Sequence, residues 1–168
     1  MNAPQPPAAR IRLPRPRVTA LLREGLSRRL TVLLAPAGYG KTFVLQDFVR
    51  EAALPTLWLE RPAETGWRPF LSMLAQGIAR RLGGGDSLVH ALEGGWLPED
   101  PLPLVLSDLS AVHADHLLVL DDLSHVAHDS LPAGFLGRLV ESTGRRTHIF
   151  ICSRTALPFP TARLKVSQ

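Results

Sequence analysis

Lysine is almost missing from this chain: of 19 basic side chains, only Lys41 and Lys165 are lysines and the other 17 are arginines. Cysteine occurs once, at Cys152, which excludes an internal disulfide framework and fits a reducing, cytoplasmic setting. Aromatic residues make up only 6%, with a single tyrosine, Tyr39. No apolar run approaches the roughly 20 residues that a membrane-spanning helix needs. The opening stretch Met1 to Ala9 is too polar and proline-rich for a secretion signal. What remains is an ordinary globular composition: 168 residues, 45% hydrophobic and 20% charged, enough for about one domain with its own core. The arginine excess gives a net charge of +4, which favours anionic partners in general without singling out DNA.

Because lysine is so rare, the placement of Lys41 is informative. It closes the octet Ala35-Pro36-Ala37-Gly38-Tyr39-Gly40-Lys41-Thr42. Before the octet, Leu30 to Leu34 reads as a buried strand; after it, Phe43, Val44, Leu45, Phe48, Val49 and Ala52 recur at helical spacing. Strand, glycine-bearing loop ending in Gly-Lys-Thr, and helix form the layout of a phosphate-binding P-loop. Small residues let the backbone of Ala37, Gly38, Tyr39 and Gly40 wrap a phosphate, with successive N–H groups aimed inward. The helix N-terminus adds unpaired donors and partial positive charge. Lys41 is expected to reach the β- and γ-phosphates and the Thr42 hydroxyl to ligate Mg²⁺. Ala35 departs from the general pattern, which opens with glycine.

A second landmark is Leu117-Leu118-Val119-Leu120-Asp121-Asp122. Four consecutive aliphatics mark a strand buried on both faces, as in a parallel sheet. Carboxylates at its C-terminal end stand where open α/β sheets bind ligands. This resembles a Walker B motif, with Asp121 serving Mg²⁺ and Asp122 orienting or activating the attacking water. A third strand, His148 to Cys152, ends at Ser153-Arg154, which brings Arg154 to the same edge. Either a γ-phosphate sensor or a plain surface arginine fits that position. Histidines 113, 116, 125 and 128 cluster with Asp115 and Asp129, but His-x-x-His without cysteine is weak evidence for zinc. Most of them read as surface or supporting groups.

Elsewhere the pattern predicts a flexible proline-rich tail over residues 1–13, then one domain over residues 14–168. A short helix carries Val18, Leu21, Leu22 and Leu26, entered through Arg15-Pro16-Arg17; these arginines lie either beside the ligand or in a solvated basic turn. A strand is expected near 56–60, a helix through Phe70, Leu71, Leu74, Ile78 and Leu82 stopping at Gly83 to Gly85, and an irregular stretch over 86–98 with a short helix and turn. Asp100 and Pro101 read as the N-cap and first residue of a helix carrying Leu104, Val105, Leu109 and Val112. A further helix spans Leu131 to Val140, and a last strand is possible near 164–166.

Arg-Pro-Arg before a short helix, Ala-Pro-Ala-Gly-Tyr-Gly-Lys-Thr, Leu-Val-Leu-Asp-Asp, and Ser-Arg-Thr closing a strand together resemble one family. They are similar to the ATPase domain of the large ATP-dependent LuxR-type transcriptional regulators, typified by the maltose-regulon activator, within the STAND class of P-loop ATPases. The resemblance runs from about Leu13 to Leu164, and that family commonly carries alanine where the octet has Ala35. It implies an α/β fold, a parallel sheet of about five strands in the order 5-1-4-3-2 with helices on both faces. It implies ATP and Mg²⁺ as ligands, with Lys41 and Thr42 on phosphate and metal, Asp121 on the metal, Asp122 on the water, Arg154 as sensor, and Arg15 to Arg17 near the adenine. Leu123-Ser124-His125 and Glu60-Arg61-Pro62 depart from the family pattern.

Members of that family continue into winged-helix, sensor and helix-turn-helix regions, and no helix-turn-helix pattern occurs in these residues. Self-association and DNA contact would then belong to regions beyond this stretch, while the stretch itself binds ATP or ADP, hydrolyses ATP slowly, and touches neither membrane nor specific DNA. Two other readings stay open: a small P-loop kinase that phosphorylates a metabolite, and a non-catalytic nucleotide-binding interaction module.

Overall fold

Leu117 to Leu120 are buried on both sides because they run through the interior of a parallel sheet. The computed structural model describes residues 15–60, 67–96, 98–122, 134–157 and 159. In chain order these give α1 (Pro16–Gly25), β1 (Leu30–Leu34), α2 (Lys41–Ala52), β2 (Thr56–Leu59), α3 (Trp67–Gly77), α4 (Ser87–Glu93), α5 (Leu102–Ser110), β3 (His116–Asp121), α6 (Phe135–Ser142) and β4 (Thr147–Ser153). The four strands lie in the order β1-β4-β3-β2, all neighbours parallel. Register runs from Leu30 opposite Ile149 to Leu34 opposite Ser153, and from His116 opposite Thr147 to Asp121 opposite Cys152. The order implied by the resemblance therefore stands for these four strands. The possible fifth strand near 164–166, and the tail over residues 1–13, lie outside the described residues.

Period-two alternation divides the strands between two layers of helix. Leu117, Val119, Phe150 and Cys152 pack with Leu22 of α1 and Val44, Leu45 and Phe48 of α2. The Phe48 and Phe150 rings sit 5.3 Å apart, a tilted pair. On the opposite face Leu118, Leu120, Ile149 and Ile151 join Leu57, Leu59 and the apolar sides of α3, α4, α5 and α6. Both faces are thus covered, as an all-parallel sheet requires.

Three local features differ from the expected pattern. Helix α3 does not run evenly to its glycine stop: Ile78–Leu82 form a π-helical turn before Gly83, whose φ of 66° closes it. Gly84 and Gly85 then press against the main chain of Asp108, where a Cβ would collide. Asp108, buried, uses that proximity to accept the N–H groups of Ser87 and Leu88 at 3.0 and 2.9 Å, capping α4 from another helix. Helix α5 starts at Leu102 rather than Pro101, with the Asp100 carboxylate accepting the Leu102 N–H at 3.2 Å. Helix α6 begins at Phe135; the earlier start at Leu131 falls among residues 123–133, outside the described residues.

His116 opens β3 at the edge away from the glycine loop, almost fully buried. Its Nδ1–H donates to the Ala114 carbonyl at 2.9 Å, and its Nε2 accepts the Thr147 hydroxyl at 3.0 Å. Both bonds suit the neutral ring. Burial pushes its pKa below the ordinary 6.5, against a smaller opposing pull from the Ala114 carbonyl. The folded chain then binds fewer protons than the unfolded chain as pH falls below about 6.5, so stability is lost on acidification from that point downward. We predict that the urea midpoint falls between pH 7 and pH 5.5 by more in the wild type than in His116→Gln. Equal falls in the two proteins would remove His116 as the cause.

Candidate functional site

The C-terminal ends of β1, β4 and β3 converge with the N-terminus of α2. Pairing of β1 with β4 extends one step beyond the strand, where the Ala35 N–H donates to the Ser153 carbonyl at 3.3 Å. The chain then turns through Gly38 at φ 83° and Gly40 at φ 72°, a left-handed region where a side chain would strain the backbone. Gly40 is the N-cap of α2, so the loop delivers Lys41 and Thr42 as the first residues of the helix. Lys41 Nζ donates to the carbonyls of Ala35 and Pro36, the latter at 2.9 Å, and so folds back across its own loop. Thr42 Oγ1 donates to Asp121 Oδ2 at 2.9 Å, tying the helix to the end of β3.

A cavity of about 510 Å³ opens at this junction. Of the residues expected there, Ala37, Gly38, Gly40, Lys41, Thr42, Asp121, Asp122 and Arg154 all line it. Arg15, Arg17 and Tyr39 do not line it. Arg15 reaches the loop from outside, donating from Nη1 to the Tyr39 carbonyl at 2.8 Å, while Arg17 is exposed in the first turn of α1. Three lining residues were not singled out from the sequence: Phe43, Glu60 and Cys152. Position offers a signal for each. Phe43 follows Thr42, Cys152 stands opposite Asp121 in the strand register, and Glu60 is the first residue past β2.

The paired acids have different surroundings. Asp121 is buried, 8% exposed, and holds the Thr42 hydroxyl. Asp122 has left the strand: its φ is 55°, uncommon for a residue with a side chain, and its N–H donates to the Cys152 carbonyl at 3.2 Å. That bend presents its carboxylate to Arg154, whose Nη2 donates to Oδ2 at 2.8 Å. Two hard oxygen donors held together, the Thr42 hydroxyl and the Asp121 carboxylate, suit Mg²⁺, which takes few protein ligands and keeps others for water and phosphate. Among the described residues no three His, Cys, Asp or Glu side chains gather to hold a metal. His116 is committed to its two hydrogen bonds, and His125, His128 and Asp129 lie outside the described residues.

A glycine loop between a central strand and a helix, its lysine and threonine facing a buried carboxylate on a parallel strand, defines a P-loop ATPase fold. Residues 24–151 match the AAA domain, and the chain belongs to that family. The serine/threonine-protein kinase PknK of Mycobacterium tuberculosis is 30% identical over 162 residues, covering 90% of this chain and 14% of that protein. The PknK of Mycobacterium bovis matches to the same extent. The chain thus spans about 14% of the length of the curated relatives it matches. Among solved structures, the Walker-type ATPase PABY2304 of Pyrococcus abyssi is similar in fold, with a TM-score of 0.58 at 16% identity over 82% of this chain and 44% of that one. Among the described residues no helix is long and apolar enough to cross a membrane.

Cys152 lies fully buried beneath this site. Burial, with the Asp121 charge adding to it and Lys41 opposing, pushes its thiol from the ordinary 9.0 up to about 12. The thiolate is the reacting species, so at mildly alkaline pH the folded chain should react with a thiol reagent on the order of 10³-fold more slowly than the urea-unfolded chain. Comparable rates in the two states would contradict this burial.

Proposed function

We propose that this chain is an ATP- and Mg²⁺-binding switch domain, of the kind found in the large ATP-dependent LuxR-type transcriptional regulators, and that it hydrolyses ATP slowly. The observation that carries the nucleotide reading is the joint placement of Lys41, Thr42 and Asp121 around one cavity at the N-terminus of α2. Lys41 rests on two carbonyls of its own loop, neutral acceptors that a triphosphate replaces with full negative charges. The N–H groups of Gly38 to Thr42 and the positive end of α2 face the same anion. Thr42 and Asp121 hold Mg²⁺, which when bound draws charge off the β- and γ-phosphate oxygens. Asp122 orients the attacking water, and Arg154 contributes positive charge where the γ-phosphate sits.

The regulator reading is supported by the sequence resemblance and by scale. The chain corresponds to 14% of the length of relatives named as serine/threonine-protein kinases, which fits a switch module set within a longer protein. A switch needs a ligand that binds two states with different free energies. The Asp122–Arg154 pair supplies such a difference, because Arg154 must change partner when a γ-phosphate arrives and not when only a diphosphate binds. A reducing, cytoplasmic setting fits the single buried Cys152.

Calorimetry with MgATP tests the nucleotide reading. Lys41→Ala should abolish binding, and Asp121→Asn should weaken it only when Mg²⁺ is present. Asp122→Asn should keep ATP affinity and slow single-turnover hydrolysis by about 10²-fold, the scale of a positioned acid–base group. Unchanged affinity in Lys41→Ala would sink the reading.

A further inference from the structure

A second cavity, of about 530 Å³, opens at the opposite end of the sheet from the glycine loop, with a volume in the range of small-molecule sites. Its floor includes His116 and Thr147, the first residues of β3 and β4, whereas Asp121 ends β3 roughly 17 Å away at a strand rise of about 3.3 Å per residue. One wall is apolar, made by Leu106 and Leu109 of α5 and by Val112 just beyond it. The facing wall is the turn between α6 and β4, which carries Arg145 and Arg146. Two hydrogen bonds hold that turn. The Thr147 N–H donates to the Gly144 carbonyl at 3.2 Å, and the His116 N–H donates to the Arg146 carbonyl at 2.9 Å. On the floor the Thr147 hydroxyl is engaged by His116 Nε2 at 3.0 Å.

The two arginines are not engaged in this way. Arg23, Arg50, Arg138 and Arg154 each hold a carboxylate, but neither the Arg145 nor the Arg146 guanidinium has a hydrogen-bond or ion-pair partner among the described residues. No aspartate or glutamate among those residues lines the cavity. Arg29, whose Nη1 donates to the Glu141 carbonyl at 2.8 Å, adds a third guanidinium at the same edge of the sheet, against the exposed Asp115 and Glu141. Guanidinium groups offer paired N–H donors that match a carboxylate or a phosphate. The aliphatic wall favours a ligand that brings an apolar body to it over a fully hydrated ion. We propose that this cavity binds a small organic anion, its carboxylate or phosphate head on Arg145 and Arg146 and a short apolar body against Leu106, Leu109 and Val112. The site is separate from the glycine-loop cavity and does not depend on the ATP reading.

The experiment titrates the full chain, without nucleotide and at constant ionic strength, and follows its amide resonances by NMR. Four probes are used: isocaproate, isopentyl phosphate, inorganic phosphate and the neutral isocaproamide. At least one of the two organic anions should saturate with a Kd on the order of 1–10 mM, the range open to so small a ligand. The tighter of the two identifies the head group. Shifted amides should centre on residues 143–147. Inorganic phosphate lacks the body and isocaproamide lacks the charge, so each should bind about 10-fold more weakly or worse. The Arg145→Gln/Arg146→Gln double variant should lose about 10-fold or more in affinity for the better anion. Its melting temperature should be unchanged, because both side chains are exposed. Four results each overturn the proposal: neither organic anion saturates; inorganic phosphate or isocaproamide binds as tightly as the better organic anion; the double variant binds as the wild type does; or the shifts centre on residues 37–42, which would put the probe in the glycine loop. None of the four bears on nucleotide binding, so the ATP reading stands or falls separately.

Discussion

The seating of β4 between β1 and β3 is the constraint on which the rest of this structure depends. Parallel strands cannot be joined by a tight turn, so every neighbour pair is reached through a helical crossover, and the chain must return to the middle of its own sheet to finish it. Once β4 is in place, three consecutive strand ends share one edge. Ala35, Asp122 and Ser153 then sit within backbone hydrogen-bonding reach of one another through the Ser153 and Cys152 carbonyls. The cavity is a by-product of this closure: the loop after β1 cannot fill the space above β4 because its glycines turn it upward into α2.

Two kinds of hydrogen bond hold the site without a ligand. Lys41 on the carbonyls of its own loop, and Thr42 on Asp121, are cation-to-dipole and hydroxyl-to-carboxylate contacts, weaker than the cation-to-phosphate and metal-to-oxygen contacts that can replace them. The site is therefore ordered before binding at little energetic resistance to being filled. Arg154 and Asp122 are the exception, a charged pair in which any ligand anion must compete with a carboxylate already in place. Partial exposure of both side chains keeps that competition modest.

The sheet was legible because its strands carry their own signature. Leu30 to Leu34, Leu117 to Leu120 and Ile149 to Cys152 are aliphatic runs too short for helices and too continuous for one-sided strands. Their order was legible only through the family resemblance, since hydrophobicity says nothing about which strand lies beside which. Lys41, Thr42, Asp121 and Asp122 could be placed because their motifs are contiguous in sequence. Glu60 could not: its relation to Asp121 exists only in the strand register, across a separation that no local pattern spans. The Asp108 cap escaped for the same reason, being made by a side chain 20 residues from the N–H it accepts. Arg15 was expected near the ligand's adenine or in a solvated basic turn; what the structure gives is a contact to the glycine loop, made to the Tyr39 carbonyl.

The π-helical turn at Ile78–Leu82 has a further meaning for how this chain tolerates change in length. A π turn holds one residue more than an α turn, and the surplus is stored without disturbing what lies on either side. Before it, Leu71 and Leu74 face the sheet; after it, Gly83 to Gly85 lie against Asp108. Removing one residue from the turn would therefore leave an unbroken α-helix with both sides still in phase, whereas removing a second would rotate everything beyond by about 100° and withdraw it by about 1.5 Å. The glycines would leave Asp108, and α4 would lose the carboxylate that caps it. The π turn thus absorbs a change of one residue between two parts of the helical layer, and beyond that single residue the length of this segment is as constrained as its composition.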